Sequence, residues 1–360
     1  MHLVDILALR QVPAAGLYLS LTRRCPLSCA HCSTNSSLAS EEHAATGFMR
    51  LVESFTPTCR PEVLVLTGGE PLVRPRLVLD LTERAHAVGT RVVLASGMFW
   101  ARAQEISPLL DRTIRGVDHV AASLDYYHEQ QVNRADVFRA IHTVLDRGQD
   151  ASFMVVGLTE QDPYLQDVTE DIRRTFDDRV PMLVNLVGSV GRAREWLEKS
   201  GEHAAPPAAE PEPCDMAAWP VVGYDGTVVA CCNQDAIDGP TPAHLRVGKA
   251  GEDDWATLRS RYAESPTLRA IRTYGPWYVA EKFSHGKVGC DGYCGTCLKL
   301  SDTPIIAENL EPFMARPVMR ILEDQVTMLQ QERFVNRHAP PPFVHLAYLG
   351  AEKQAHKEVA

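Results

Sequence analysis

Short apolar runs recur through the first half of the chain, most of them closed by a glycine, a serine or an acid. Residues 16–22, Gly-Leu-Tyr-Leu-Ser-Leu-Thr, alternate and contain β-formers, which predicts a strand. The same signal recurs at 62–67, 91–96, 119–125, 152–156 and 182–187. Segments of helical period lie between these runs. Ser40, with Glu41 and Glu42 after it, reads as an N-cap, predicting a helix from there to about Phe55. A helical stretch from about Leu77 ends at Gly89, which suits a C′ position. Val137, Ile141, Val144 and Leu145 mark one face of a helix ending at Gly148, and Val168, Ile172 and Phe176 mark another. Residues 1–15 read as a short lead-in.

Strands alternating with helices over roughly 180 residues predict an α/β fold with a parallel sheet. Four features follow strand carboxyl ends: a cysteine loop at 25–32, Gly68-Gly69-Glu70-Pro71, Gly97 and Asp125. In a barrel-like α/β fold these ends share one face, where active sites are built. The features therefore converge in space although they are about a hundred residues apart.

The pattern breaks at 201–213, rich in proline and alanine without apolar periodicity, which reads as a linker. A second region, 214–300, opens with a hairpin pattern at 221–229 turning at Asp225-Gly226. The last part, 301–360, predicts a helix near 314–333, followed by Pro340-Pro341-Pro342. No internal repeat and no Walker-type loop occurs.

Composition narrows the picture. The 360 residues are 45% hydrophobic and 23% charged, ordinary for a soluble globular protein of more than one domain. A net charge of −10 argues against nucleic acid as a main partner. The first ten residues lack a basic n-region and carry Asp5 inside their apolar stretch, unlike a secretory signal. The uncharged stretch 11–22 is too short to span a bilayer. Nine of the ten cysteines fall into a few short stretches, as expected of metal ligands in a reducing cytoplasm rather than of disulfides.

Cys25-x3-Cys29-x2-Cys32 offers three thiolates where a closed [4Fe-4S] cluster takes four, so one iron stays open for a substrate or cofactor. A structural zinc site, with His31 as fourth ligand, is the alternative on spacing alone. Cys214, Cys231, Cys232, Cys290, Cys294 and Cys297 form a second group, for which a zinc ribbon is the alternative. Cys59 stands apart and reads as inert packing.

Cys25-x3-Cys29-x2-Cys32 after a first strand, with Gly68-Gly69-Glu70-Pro71 after a second, resembles the radical S-adenosylmethionine (SAM) enzymes over roughly residues 16–195. The resemblance implies a partial (β/α)6 TIM-like barrel over 1–200. It also implies that the open iron is chelated by SAM, and that an electron from the cluster cleaves SAM to a 5′-deoxyadenosyl radical. That radical takes a hydrogen atom from the substrate. Cys25, Cys29 and Cys32 would be the cluster ligands, and His31 would pack near the adenine. Gly68, Gly69, Glu70 and Pro71 resemble the strip that meets the SAM amino group, where glycines permit close approach and a carboxylate suits an ammonium. Ser96, Ser123 and Asp125 sit where the family contacts the ribose and methionyl parts, and Arg134 would face the SAM carboxylate.

The 214–300 region resembles the auxiliary-cluster domains called SPASM and twitch, with Gly191-Arg192-Ala193 a tripeptide often seen ahead of them. The full SPASM form needs about seven cysteines for two clusters, and six are present. The resemblance thus implies one auxiliary [4Fe-4S] cluster on Cys214, Cys231, Cys294 and Cys297, with Cys232 and Cys290 as substitutes or ligands of a partial second site. The expected architecture is a barrel at 1–200, a linker, a small iron–sulfur domain at 214–300 and a helical extension at 301–360.

The implied function is a radical SAM oxidoreductase acting on a peptide, by oxidation or cross-linking, in maturation of a ribosomal peptide. The alternative is oxidation or rearrangement of a small metabolite such as a sugar or antibiotic precursor. Either needs an electron donor such as flavodoxin or ferredoxin. About fifteen residues precede the first strand, leaving no room for a fused N-terminal leader-binding domain. A separate peptide-recognition protein, or the 301–360 extension, would do that work. Among candidate proton acceptors near the auxiliary ligands, nothing singles out Tyr224, Asp225 or Asp235.

Overall fold

The computed structural model describes residues 1–200, 212–289 and 292–351. The first half is the expected alternation: α1 Leu3–Leu9, β1 Gly16–Ser20, α2 Thr46–Glu53, β2 Val63–Thr67, α3 Pro75–Ala87, β3 Arg91–Ser96, α4 Pro108–Gly116, β4 His119–Ser123, α5 Tyr126–Glu129, α6 Arg134–Asp146, β5 Asp150–Gly157, α7 Pro163–Phe176, β6 Met182–Leu186 and α8 Gly191–Ser200. The six strands pair in parallel in the order β6-β5-β4-β3-β2-β1, an open partial barrel.

Strand alternation sets the two faces of this sheet. Leu17, Leu19, Leu64, Leu66, Val92 and Leu94 turn outward onto Leu51, Val78 and Leu81 of the helices. Val63, Val65, Val93 and Ala121 turn inward with Tyr18, Ala95 and Met154, and Ile6 and Trp219 pack onto them. Buried on both faces, the strands read as near-continuous apolar runs, as parallel strands do.

The second segment extends the same sheet. It continues with β7 Val221–Val222, β8 Thr227–Val229, α9 Gln234–Asp238, β9 Arg246–Lys249, α10 Trp255–Glu264, α11 Pro266–Phe283, α12 Gly292–Leu298, α13 Pro304–Met314 and α14 Pro317–His338. β7 pairs in parallel with β1, and the β7–β8 hairpin carries β9 at its far edge, giving nine strands. α14 returns to the start of the chain, where Phe334, Val335 and Ala339 pack on Leu3 and Leu7. Among the described residues no helix is long and apolar enough to cross a membrane.

One expectation fails locally, and one segment read only as a lead-in forms a helix. The helix read from Ser40 begins only at Thr46. The Ser40 hydroxyl accepts from the Ser37 N–H instead of capping a helix, while Glu41 and Glu42 pair with Arg23, Arg24 and Arg74 around the cysteine loop. The lead-in is helical because His2 and Asp5 close a capping box around α1.

Candidate active site

The carboxyl ends of β1–β6 enclose a cavity of about 320 Å³, of the size that takes a cofactor. Cys25, Cys29, Cys32 and His31 line one side, and Gly68, Gly69, Ser96, Gly97 and Ser123 the other. The loop is tied internally: the Cys25 N–H donates to Ser37 O at 3.2 Å, and the Ser36 N–H to Cys32 Sγ at 3.4 Å. Burial pushes the Cys25 thiol up to about 12. The Cys32 thiol is lowered in spite of its burial, by hydrogen bonds from Thr34 and Ser36 and by the charge of Arg192. A thiol raised by burial becomes a thiolate only against positive charge, such as a metal centre.

The Gly68-Gly69 strip lies against the base of this loop. The Gly69 N–H donates to Thr22 O at 2.7 Å and the Glu70 N–H to Arg24 O at 2.9 Å. A Cβ on either glycine would run into those same carbonyls, so the close approach requires glycine.

Glu70 does not point into the cavity. It is fully buried, and its carboxyl accepts from the Leu72 N–H at 3.0 Å, the Ser96 hydroxyl at 3.0 Å and the Gly97 N–H at 2.9 Å. It therefore ties the end of β2 to the end of β3, while Pro71 starts a buried 3-10 turn behind it. Burial raises the Glu70 carboxyl to about 7 from 4.5, against the pull of those three donors. Between these values the folded chain keeps a proton that the unfolded chain has lost, so stability falls as pH rises from 4.5 to 7 and levels off above. The slope is at most about 1.4 kcal/mol per pH unit. Glu70→Gln, which cannot ionise, is expected to flatten that slope in thermal melts; an unchanged slope would remove Glu70 as its source.

Asp125 is buried as the N-cap of α5, its Oδ1 accepting from the Tyr127 and His128 N–H groups at 2.9 and 3.1 Å. Its Oδ2 lies 3.2 Å from His31 Nε2 and 2.7 Å from His128 Nδ1. Burial alone would raise Asp125 and lower His128; their mutual pairing wins, holding Asp125 well below the carboxylate range and His128 up at about 10. His31 stacks on Tyr127 with ring centroids 4.6 Å apart, and its buried Nδ1 has no hydrogen-bond partner among the described residues. So His31, the fourth ligand of the zinc alternative, is turned to Asp125 by its Nε2, while its Nδ1 stays buried beside the cysteine loop. Three thiols on one wall and an orphaned ring nitrogen beside them fit a [4Fe-4S] cluster with a nitrogen-rich cofactor.

Arg134 is not available to a carboxylate in the cavity. Its guanidinium is held by Glu129 at 2.6 Å, Asp167 at 2.8 Å and Asp171 at 3.1 Å.

A second cavity, about 290 Å³, gathers Cys214, Cys231, Cys232, Cys294 and Cys297. Cys290 lies outside the described residues. Burial raises the thiols of Cys214, to about 11, and of Cys231, Cys294 and Cys297. His244 Nε2 approaches Cys297 Sγ at 3.7 Å. The end of α14 completes the wall: Arg337 Nη1 and His338 Nε2 reach Asp215 Oδ2 at 3.0 and 2.8 Å. The three acceptors considered from sequence serve the scaffold instead. Asp225 accepts from Thr227 in the hairpin turn, Tyr224 donates to Asp238, and Asp235 pairs with Arg194.

The sequence marked Arg192 only as part of a tripeptide, and it left His128, Asp215, Arg337 and His338 unmarked. Asp125-Tyr-Tyr-His128 carried a usable signal, since an N-cap acid places a residue three positions on beside itself. Nothing local marked Arg337 or His338.

Residues 19–172 match the Radical SAM superfamily. A PqqA peptide cyclase of Streptomyces rochei is 36% identical over 115 residues, 31% of this chain and 29% of that protein. The match thus spans under a third of that relative's length. The putative peptide biosynthesis protein YydG of Bacillus subtilis is 21% identical over 222 residues, 60% of this chain and 68% of that one. The crystal structure of Streptococcus suis SuiB bound to S-adenosylmethionine shares the fold, with a TM-score of 0.50 at 12% identity, covering 74% of this chain and 69% of that one.

Proposed function

We propose that this chain, a radical SAM domain over residues 19–172, modifies a peptide by hydrogen-atom abstraction followed by oxidation or cross-linking. The observation that carries this reading is the pair of cysteine-lined cavities on one continuous sheet. The peptide class is supported by the relatives named as a PqqA peptide cyclase and a peptide biosynthesis protein.

Cys25, Cys29 and Cys32 would hold the first [4Fe-4S] cluster, with SAM beside Gly68, Gly69, Ser96 and Ser123. Bound there, cluster and SAM supply reductive SAM cleavage and an oxidant able to take a hydrogen atom from an unactivated carbon. Cys214, Cys231, Cys294 and Cys297 would hold a second cluster, supplying an acceptor for the electron left once the substrate has lost a hydrogen atom and a proton.

The chain's own side chains position and enclose. Asp125 fixes the His31 ring in the cavity wall through its Nε2. Glu70 locks the glycine strip to Ser96 and Gly97. Leu27, Val156, Leu186, Val187 and Val190 line the cavity with apolar surface that limits water at the reacting carbon. Electrons would come from a low-potential donor such as flavodoxin or ferredoxin.

The test is anaerobic reconstitution, reduction, and incubation with SAM and a candidate precursor peptide encoded beside this chain's gene. A peptide mass lower by two hydrogens, formed with 5′-deoxyadenosine, is expected. Deoxyadenosine turnover with a small alcohol or sugar and no altered peptide would replace the peptide by a metabolite. Zinc with no iron after reconstitution would overturn radical chemistry altogether.

A further inference from the structure

We infer that Arg192 is a positioning residue for the first cysteine loop, and that its uncancelled positive charge sets the reduction potential of the cluster held there. This rests on the radical SAM reading of that loop. Arg192 stands at the start of α8, after the last strand of the barrel, and reaches across the open side onto the loop. Its backbone N–H donates to Cys32 O at 2.9 Å. Its Nη1 donates to Cys29 O at 2.6 Å, Nη2 to Ser36 O at 2.5 Å and Nε to Asn35 Oδ1 at 3.3 Å. One turn on, Trp196 Nε1 donates to Ala30 O at 2.9 Å. Gly191 takes a positive φ of 53° so close to the Cys32 and Ser33 carbonyls that no Cβ would fit. The helix start is therefore built around the loop.

The acceptors distinguish this arginine from its neighbours. Arg23 pairs with Glu41 and Asp238, Arg24 and Arg74 with Glu42, and Arg194 with Asp235. Arg23, Arg24 and Arg74 thus face three carboxylates between them, and Arg194 faces one, so these charges cancel as a group. Arg192 gives its three guanidinium nitrogens to two carbonyls and a neutral amide, and a guanidinium does not lose its proton in a protein. No carboxylate among the described residues pairs with this arginine, so a net positive charge rests on the carbonyls of Cys29 and Ser36. Reduction adds negative charge to a cluster, and cluster potentials follow local charge and hydrogen bonding. Arg192 makes reduction of this cluster easier than the thiolates alone would allow.

The test uses the full chain, reconstituted anaerobically, with Arg192→Lys, Arg192→Gln and Asn35→Asp. The readouts are iron and sulfide per chain and the midpoint potential of the paramagnetic signal that changes when SAM is added. Arg192→Lys keeps the charge and is expected to keep the potential. Arg192→Gln is expected to leave about tenfold less cluster reduced at a fixed potential, a downward shift of about 59 mV for one electron. Asn35→Asp keeps the Arg192 contact, suits the left-handed backbone at that position and sets a carboxylate against the guanidinium; it is expected to shift the potential the same way. It decides the matter if Arg192→Gln loses its cluster. Wild-type potential in Asn35→Asp, or a Lys variant shifted as far as the Gln variant, would overturn the inference. A wild-type chain with no SAM-sensitive signal would instead overturn the radical SAM reading.

Discussion

Cys29→Ala is expected to abolish 5′-deoxyadenosine formation and to lower iron by about four per chain. Cys29 is the buried member of the loop triad, and the Gln131 amide donates to its sulfur at 3.5 Å. Its removal leaves Cys25 and Cys32 as the two thiols on that wall of the cavity. Two protein ligands do not hold a cluster that needs three plus a chelating cofactor. The rate should fall at least about a thousandfold, which is about 4 kcal/mol in activation free energy. Chromatography of deoxyadenosine after chemical reduction, with iron analysis on the same samples, is the measurement. Cys59→Ala is the matched control, since Cys59 packs partly buried against the core apart from both cavities and should behave as wild type. Cys29→Ala turnover within tenfold of wild type would remove the loop from the chemistry.

Cys294→Ala should separate the two halves of the reaction. Cys294 lines the second cavity with Cys214, Cys231 and Cys297, on α12, while the first cavity is walled by strand ends and the 25–36 loop. On the proposed ligand assignment this removes about four irons but leaves the first cavity its own thiols and glycine strip. Deoxyadenosine formation is expected within about tenfold of wild type, while modified peptide falls at least about a hundredfold, roughly 2.7 kcal/mol. A substrate radical that cannot pass on its electron is instead quenched by an electron from the chemical reductant and a proton from solvent. That returns the substrate unchanged and leaves deoxyadenosine without product. Wild-type product from this variant would make the second site structural.

Much of this arrangement was legible in the chain, and the reason is local. Strand alternation, the C-x3-C-x2-C spacing and the Gly-Gly-Glu-Pro turn are set by neighbours within a few residues, so they survive in one dimension. Parallel strands in sequential order then bring their carboxyl ends together without further information. Where neighbours misled, distant charges had intervened. Ser40, Glu41 and Glu42 form a sound helix start in isolation, but Arg23, Arg24 and Arg74 take up the acids. Arg134 resembled a carboxylate ligand until α7 brought Asp167 and Asp171 against it. Glu70 suited an ammonium, yet β3 supplied Ser96 and Gly97 as nearer donors.

From the one-dimensional chain come the open α/β barrel, the two cysteine groups and the glycine strip, because short spacings and alternating burial encode them directly. The contacts that aim these groups come from folding alone. Arg192 meets Cys29 across 163 residues, and His338 meets Asp215 across 123. Such pairs depend on sheet order and on the return of α14 to α1, which no local pattern carries. The loop's cysteines state which metal chemistry is possible, and the packing of α8 against them sets the charge under which it runs.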